Sequence, residues 1–167
     1  MELYFLRHAI AAEKRPGSLT DDSKRPLTTE GAGKMRQIAR GMRRLKLDFD
    51  VILASPYLRA KQTAEIAAAV LDARDKLQFS DHLAGHGDSI QLVAELNEHH
   101  RACKSILLVG HEPSMSELIS TLLVGNRSLQ LVLKKGGLCK LTVDTLRHGR
   151  CATLEWLLTP GQLRRLA

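Results

Sequence analysis

Leu3-Tyr4-Phe5-Leu6-Arg7-His8-Ala9 is the stretch on which the reading of this chain turns. Four apolar residues without alternation predict a short strand covered on both faces, as in a parallel sheet flanked by helices. Arg7 and His8 then fall at its carboxyl end, where open α/β sheets gather their ligands. By itself the dipeptide fits a solvated loop as well as a site, so the rest of the chain has to decide.

Working outward, apolar runs and helical periods alternate. A charged loop over 9–26 leads into Arg25-Pro26-Leu27-Thr28, and Thr28 or Thr29 caps a helix over 30–45. Met35, Ile38, Met42 and Leu45 recur on its buried face. A second buried strand, 51–54, stops at Ser55-Pro56. Serine as cap and proline at the first helical position predict a helix from there to about Leu71, with Leu58, Ala64 or Ile66, Ala68 and Leu71 turned inward. Residues 77–79 make a short third strand, and 81–88 a loop. Asp88 with Gln91 forms a capping box for a helix over 89–99. The fourth strand, 106–109, runs into Gly110-His111-Glu112-Pro113, and Ser114 with Glu117 caps a helix over 115–124. Residues 138–143 and 153–158 read as a hairpin around a turn at 147–150, with Trp156 packing on it. This order predicts an α/β fold: a three-layer α/β/α sandwich with a mainly parallel central sheet and an antiparallel C-terminal edge hairpin. The 167 residues suit a single catalytic domain with no separate cap.

Composition narrows the class. Apolar residues make up 44% of the chain, which argues for a globular domain. Its longest apolar runs are strand-sized, far short of the ~20 residues of a membrane span. No signal peptide is legible, so a cytoplasmic monomer is expected. Cys103, Cys139 and Cys151 are odd in number and lack CxxC spacing, which disfavours a disulfide framework or a metal cluster. Cys139 and Cys151 fall on neighbouring strands, where a bridge would be unusual in a reducing compartment. The net charge of +7 suggests an acidic or phosphorylated partner. Yet Lys34, Arg36, Arg40, Arg43, Arg44 and Lys46 lie largely outside one helix's apolar face and read as a solvated basic surface. Aromatics are only 4% and none interleaves with these cations, which argues against nucleic acid.

Three strand ends carry polar residues: Arg7-His8, Ser55-Pro56 with Arg59 one turn on, and Gly110-His111. In a parallel sheet these ends share one edge. Two arginines and two imidazoles meeting there would suit a dianionic phosphoryl group, since each guanidinium offers a fixed fork of donors. Helix N-termini near Pro56 and Ser114 would add backbone N–H groups. A neutral imidazole is also a competent nucleophile, and neighbouring arginines disfavour its protonation. No metal-binding signature such as HExxH occurs, so neither metal nor other cofactor is expected.

Leu6-Arg7-His8-Ala9, Arg25-Pro26-Leu27-Thr28-x-x-Gly31, Ser55-Pro56-Tyr57-Leu58-Arg59-Ala60-x-Gln62-Thr63 and Val109-Gly110-His111-Glu112-Pro113 together resemble the histidine phosphatase (phosphoglycerate-mutase-like) superfamily. Within it, the chain is most similar to the small bacterial phosphohistidine phosphatases of the SixA type, and the similarity extends to Lys134-Lys135-Gly136-Gly137 and Leu157-Leu158-Thr159-Pro160. The resemblance implies His8 as a transiently phosphorylated nucleophile, with Arg7, Arg59 and His111 binding the phosphoryl oxygens and Arg25 as a secondary contact. Two departures stand out. Ala9 replaces the family's usual glycine, and the 81–88 loop offers Asp81 and His82 where many members carry a glutamate acid.

A site without a strong acid fits a P–N bond better than an alkyl ester. An imidazole leaves readily once its ring is protonated, and its pKa lies near neutrality. The absence of a long insertion between Arg59 and His111 predicts an open pocket. The expected substrate is therefore phosphohistidine on a signalling (phosphorelay) protein. A small phosphate monoester, or a non-catalytic phosphate- or partner-binding module, remains the alternative; mutase chemistry would require a closed pocket. His82 and His86 border the pocket in this reading, whereas His99, His100 and His148 are surface residues.

Overall fold

The computed structural model describes residues 1–13 and 21–167; part of the charged loop, residues 14–20, lies outside the described residues. Strands β1 (Glu2–Arg7), β2 (Val51–Ala54), β3 (Leu77–Phe79), β4 (Ser105–Gly110), β5 (Leu138–Val143) and β6 (Ala152–Leu158) form one sheet. Their order is β3-β2-β4-β1-β5-β6. The pairs β2–β3, β2–β4 and β1–β4 are parallel, whereas β1–β5 and β5–β6 are antiparallel. Helices α1 (Thr29–Arg44), α2 (Leu58–Leu71), α3 (Ser89–His99), α4 (Ser114–Val124) and α5 (Pro160–Arg165) cover both faces.

The central strands are apolar throughout because each side chain has a helix layer to meet. Leu3, Phe5, Leu53, Ile106 and Leu108 pack with α3 and α4. Tyr4, Leu6, Ile52, Leu107 and Val109 pack with α1, α2 and α5 on the other face. Tyr4 meets Phe49 and Trp156 edge-on, with ring centroids 5.0 and 5.8 Å away, so Trp156 packs as its position predicts.

Several local expectations are corrected. Helix α2 begins at Leu58, not at Pro56, with Tyr57 as its cap and no side-chain capping bond. Its buried face is Arg59, Ala60, Thr63, Ala64, Ala67 and Ala68, while Leu58, Ile66 and Leu71 are half-buried. Small residues let α2 approach the sheet, so the larger apolar ones lie at the flanks. In α1 the inward set is Met35, Ile38, Ala39 and Met42, and Leu45 is 38% exposed just past the helix end. Helix α4 is capped by Pro113, not by Ser114. Asp88 caps α3 by accepting from the N–H groups of Ile90 and Gln91. Helix α5 is opened by a full Thr159–Gln162 capping box with Pro160 in its first turn. His100 is buried among the core elements, not on the surface. Cys139 pairs in register with Leu157, whereas Cys151 precedes β6 near the Val143–Ala152 end, so the hairpin keeps the two thiols apart.

Candidate active site

The parallel register brings the three polar strand ends to one edge. The His8 N–H donates to the Gly110 carbonyl at 3.0 Å, continuing β1 against β4, and the Ser55 N–H donates to the Val109 carbonyl at 2.9 Å. His8, Arg59 and His111 are thereby drawn into one buried cluster, at 5%, 5% and 3% exposure. The rings of His8 and His111 are 5.1 Å apart between centroids. Thr63 ties α2 to the segment after β1: its Oγ1 donates to the Arg59 carbonyl at 2.6 Å and accepts from the Ala9 N–H at 3.1 Å.

Each side chain is oriented by a specific bond. His8 Nδ1 lies 2.7 Å from the Ala9 carbonyl oxygen, which can only accept, so Nδ1 carries the proton and Nε2 presents its lone pair. Burial, reinforced by the charges of Arg59, Arg7 and Lys135 and opposed by the Ala9 carbonyl, pushes the His8 pKa down to about 4. His8 is therefore a neutral imidazole at pH 7. Burial first, then the Arg59 charge, pushes His111 down to about 3.

Ser55, read from sequence as a helix cap, does other work here. Its Oγ accepts from the Tyr57 N–H at 3.2 Å and lies 2.8 Å from His111 Nε2. In the tautomer in which the hydroxyl donates to Nε2, the proton of the neutral His111 ring lies on Nδ1.

Arg7 donates Nη1–H to the Leu133 carbonyl at 2.9 Å. Both terminal nitrogens of Arg59 are held by Asp22: Nη1 by its carbonyl oxygen at 2.8 Å and Nη2 by its carboxylate at 2.9 Å. Asp22 opens the 3-10 turn Asp22–Lys24 and also accepts from Arg25 Nε at 3.0 Å. Burial tends to raise the Asp22 pKa, but the Arg25 hydrogen bond and the charges of Arg59 and Arg25 outweigh it and hold the carboxyl below its usual range. Arg7 Nε, Arg59 Nε and His111 Nδ1 remain buried with no hydrogen-bond partner among the described residues. Two unpartnered guanidinium N–H groups and an unpartnered imidazole nitrogen in the same cluster as a neutral His8 suit an oxyanion.

The other predicted site residues take different places. Arg25 spends Nε on Asp22 and Nη1 on the Ala12 carbonyl, so it braces the site and is not among the orphaned donors. Asp81 is exposed and His82 half-buried in the 3-10 turn Asp81–Leu83. His86 is exposed, and His148 accepts or donates at Ser89 Oγ, 3.0 Å away, at the surface. Tyr57, quoted in the sequence only as part of a motif, neighbours both His111 and the Arg59 guanidinium, 5.2 and 5.3 Å from its ring centroid. Glu112 was likewise passed over: burial raises its pKa, and its Oε1 has no partner among the described residues. Asp22 had no sequence signal beyond its proximity to Arg25. Helix α1 starts beside Ile10, past the carboxyl end of β1, and from its basic end the chain returns through Asp50, whose N–H donates to the Ser105 carbonyl at the start of β4.

A sequence profile of the histidine phosphatase superfamily (branch 1) matches residues 3–84. An uncharacterized protein of Picosynechococcus sp. is 39% identical over 148 residues, 88% of each chain. Phosphohistidine phosphatase SixA of Escherichia coli is 29% identical over 98% of this chain and 97% of its own. The solved structure of the protein histidine phosphatase SixA complexed with tungstate superposes with a TM-score of 0.82 at 27% identity, covering 98% of this chain and 99% of that one. Since sequence and fold agree along nearly the whole length, the chain belongs to the histidine phosphatase superfamily and is by class a phosphatase.

Proposed function

We propose that the protein removes the phosphoryl group from a phosphorylated histidine on a signalling (phosphorelay) protein, through a phosphohistidine intermediate on His8, in one catalytic domain without a separate cap. The observation that carries this reading is a buried His8 whose Nδ1 is engaged by the Ala9 carbonyl, with His111 5.1 Å away and with Arg7 Nε, Arg59 Nε and His111 Nδ1 lacking a partner among the described residues. The relative SixA, named for phosphohistidine, and its tungstate complex supply the analogy for substrate and oxyanion.

In this reading Arg7, Arg59 and His111 hold the phosphoryl oxygens while His8 Nε2 attacks phosphorus in line with the leaving nitrogen. A new P–N bond forms at His8 as the old one breaks, and the bonding pair leaves with an imidazole that already carries its proton. Water then attacks phosphorus on His8, the His8 nitrogen recovers its lone pair, and inorganic phosphate departs. Positioning and charge stabilisation supply most of the acceleration, as is general for phosphoryl transfer. The low pKa of His8 keeps the attacking nitrogen unprotonated. Asp81 and His82 act at most as late proton donors, and Arg25 acts through Asp22.

The test uses a 32P-labelled phosphohistidine protein, free phosphohistidine and a panel of small phosphate esters, each with and without EDTA. The wild type is expected to hydrolyse phosphohistidine and to carry an acid-labile label when quenched. His8→Ala should lose more than about a thousandfold in kcat and carry no label. Near-wild-type hydrolysis by His8→Ala would overturn the mechanism. High turnover on one ester with none on phosphohistidine would shift the substrate to a metabolite, and no hydrolysis at all would make the chain a binding module.

A further inference from the structure

We propose that the outward side chains of the segment between α4 and β5, Val132 with Lys134 and Lys135, form a docking ledge for the acidic face of the protein that presents the phosphohistidine. The proposal rests on the substrate class argued above. The segment is anchored at one end by Ser120, whose Oγ donates to the Asn126 carbonyl at 2.6 Å and accepts from the Leu129 N–H at 3.0 Å. It is then clamped to Arg7 three times. The Leu133 carbonyl accepts from Arg7 Nη1 at 2.9 Å, the Gly136 N–H donates to the Arg7 carbonyl at 3.0 Å, and the Gly137 carbonyl accepts from the Arg7 N–H at 3.2 Å. Lys134 and Lys135 sit between these anchors, so their backbone is fixed at the rim of the candidate site. Gly136, at φ +76°, closes the turn, and a Cβ there would lie 2.6 Å from Ile38 Cδ1.

The side chains alternate along the segment. Leu131 and Leu133 pack into the core shared with α4. Val132 points out and is 72% exposed, and both lysines are exposed. Neither lysine is ion-paired among the described residues, although eight ion pairs occur elsewhere in them. Lys135 is near enough for its charge to depress the protonation of His8. Two unpaired ammonium groups and an apolar side chain, held rigidly beside a phosphoryl site, complement a protein surface in which carboxylates flank the phosphohistidine. Such cations act mainly on encounter and orientation, and their effect falls with ionic strength. A small substrate fills only the phosphoryl cluster and gains nothing from Val132.

The experiment compares Val132→Ser and Lys134→Glu with the wild type, leaving Lys135 intact. Two substrates carry the same bond: a 32P-phosphorylated acidic histidine-phosphotransfer domain and free phosphohistidine. Each variant is expected to lose about fivefold or more in kcat/KM on the domain, chiefly through KM, with Lys134→Glu also flattening the salt dependence. Both should stay within about twofold of wild type on free phosphohistidine. Unchanged kinetics on the domain would overturn the ledge while leaving the phosphatase reading intact. Equal losses on both substrates would overturn it too, placing the residues in the phosphoryl cluster. A wild type active on free phosphohistidine or esters but inert on the domain would overturn the protein-substrate reading and the ledge with it.

Discussion

Ser55 Oγ, 2.8 Å from His111 Nε2, shows how one small buried residue can set the chemistry of a larger one. An imidazole in a site of positive charge is useful as a donor only if its proton is on the inward nitrogen, and the bond at the other nitrogen decides this. In Ser55→Ala the Tyr57 N–H and His111 Nε2 lose their shared partner, and His111 is free to take the other tautomer or rotate. The expected result is a loss of about ten- to a hundredfold in kcat, by analogy with other residues that orient site ligands. KM for a small substrate should change less, because Arg7 and Arg59 still bind the ground state. A wild-type kcat would show that the hydroxyl merely fills space. Asp22 stands in a similar relation to Arg59: by holding both terminal nitrogens it leaves Nε as the donor directed elsewhere.

Helix α1 is placed by two glycines with opposite demands. A Cβ at Gly41 would lie 2.0 Å from the Leu163 carbonyl oxygen of α5, whereas a Cβ at Gly33 would meet nothing within 4 Å. Helix propensity favours alanine at both positions by about 0.5–1 kcal/mol. Gly33→Ala is therefore expected to raise the thermal midpoint by a degree or two. Gly41→Ala must push α5 off α1, costing about 1–3 kcal/mol and lowering the midpoint by roughly 3–10 °C. Thermal denaturation of the two variants side by side checks this, and a shift of the same sign in both would refute the close approach. The same helix shows what the sequence reveals and what it hides. Strands β1, β2 and β4 were legible as unbroken apolar runs because they are covered on both faces. The convergence of Arg7, His8, Arg59 and His111 followed from parallel order alone. Helix start positions did not follow: Ser55-Pro56 carries a strong start signal, but its serine is drawn to His111 and α2 begins two residues after the proline. The inward face of α2 was legible in part: Ala64 and Ala68 are buried as expected, but Leu58 and Leu71 are only half-buried, because periodicity weights large apolar residues while close packing on a sheet selects alanine. The hold of Asp22 on Arg59 spans 37 residues and that of Leu133 on Arg7 spans 126, which no local pattern encodes.

At the scale of the molecule, charge and burial are divided between the two ends. The cations of α1 near Arg40, Arg43, Arg44 and Lys46 join Arg164 and Arg165 of α5 at the end away from the candidate site, where they are exposed. At the site itself, two imidazoles are buried beside arginines, and this has a cost that depends on pH. His8 and His111 bind protons only near pH 4 and 3 in the folded state, but near 6.5 once unfolded. Between those limits the unfolded chain binds more protons, so stability rises with pH there. The contribution is fully present above about pH 6.5 and is lost as pH falls toward 4, by up to about 1.4 kcal/mol per pH unit for each ring. The thermal midpoint should accordingly fall from pH 7 to 4.5, and the fall should be shallower in His111→Asn, which has one fewer ring to protonate on unfolding. The ring resonances of His8 and His111 should hold still from pH 8 to 5 in an NMR titration, and the neutral His8 should keep its nucleophilic form over the same span. A midpoint near 6.5 for His8 would mean that the ring is solvated and protonates like a surface histidine, and that the cluster of orphaned donors does not close around it.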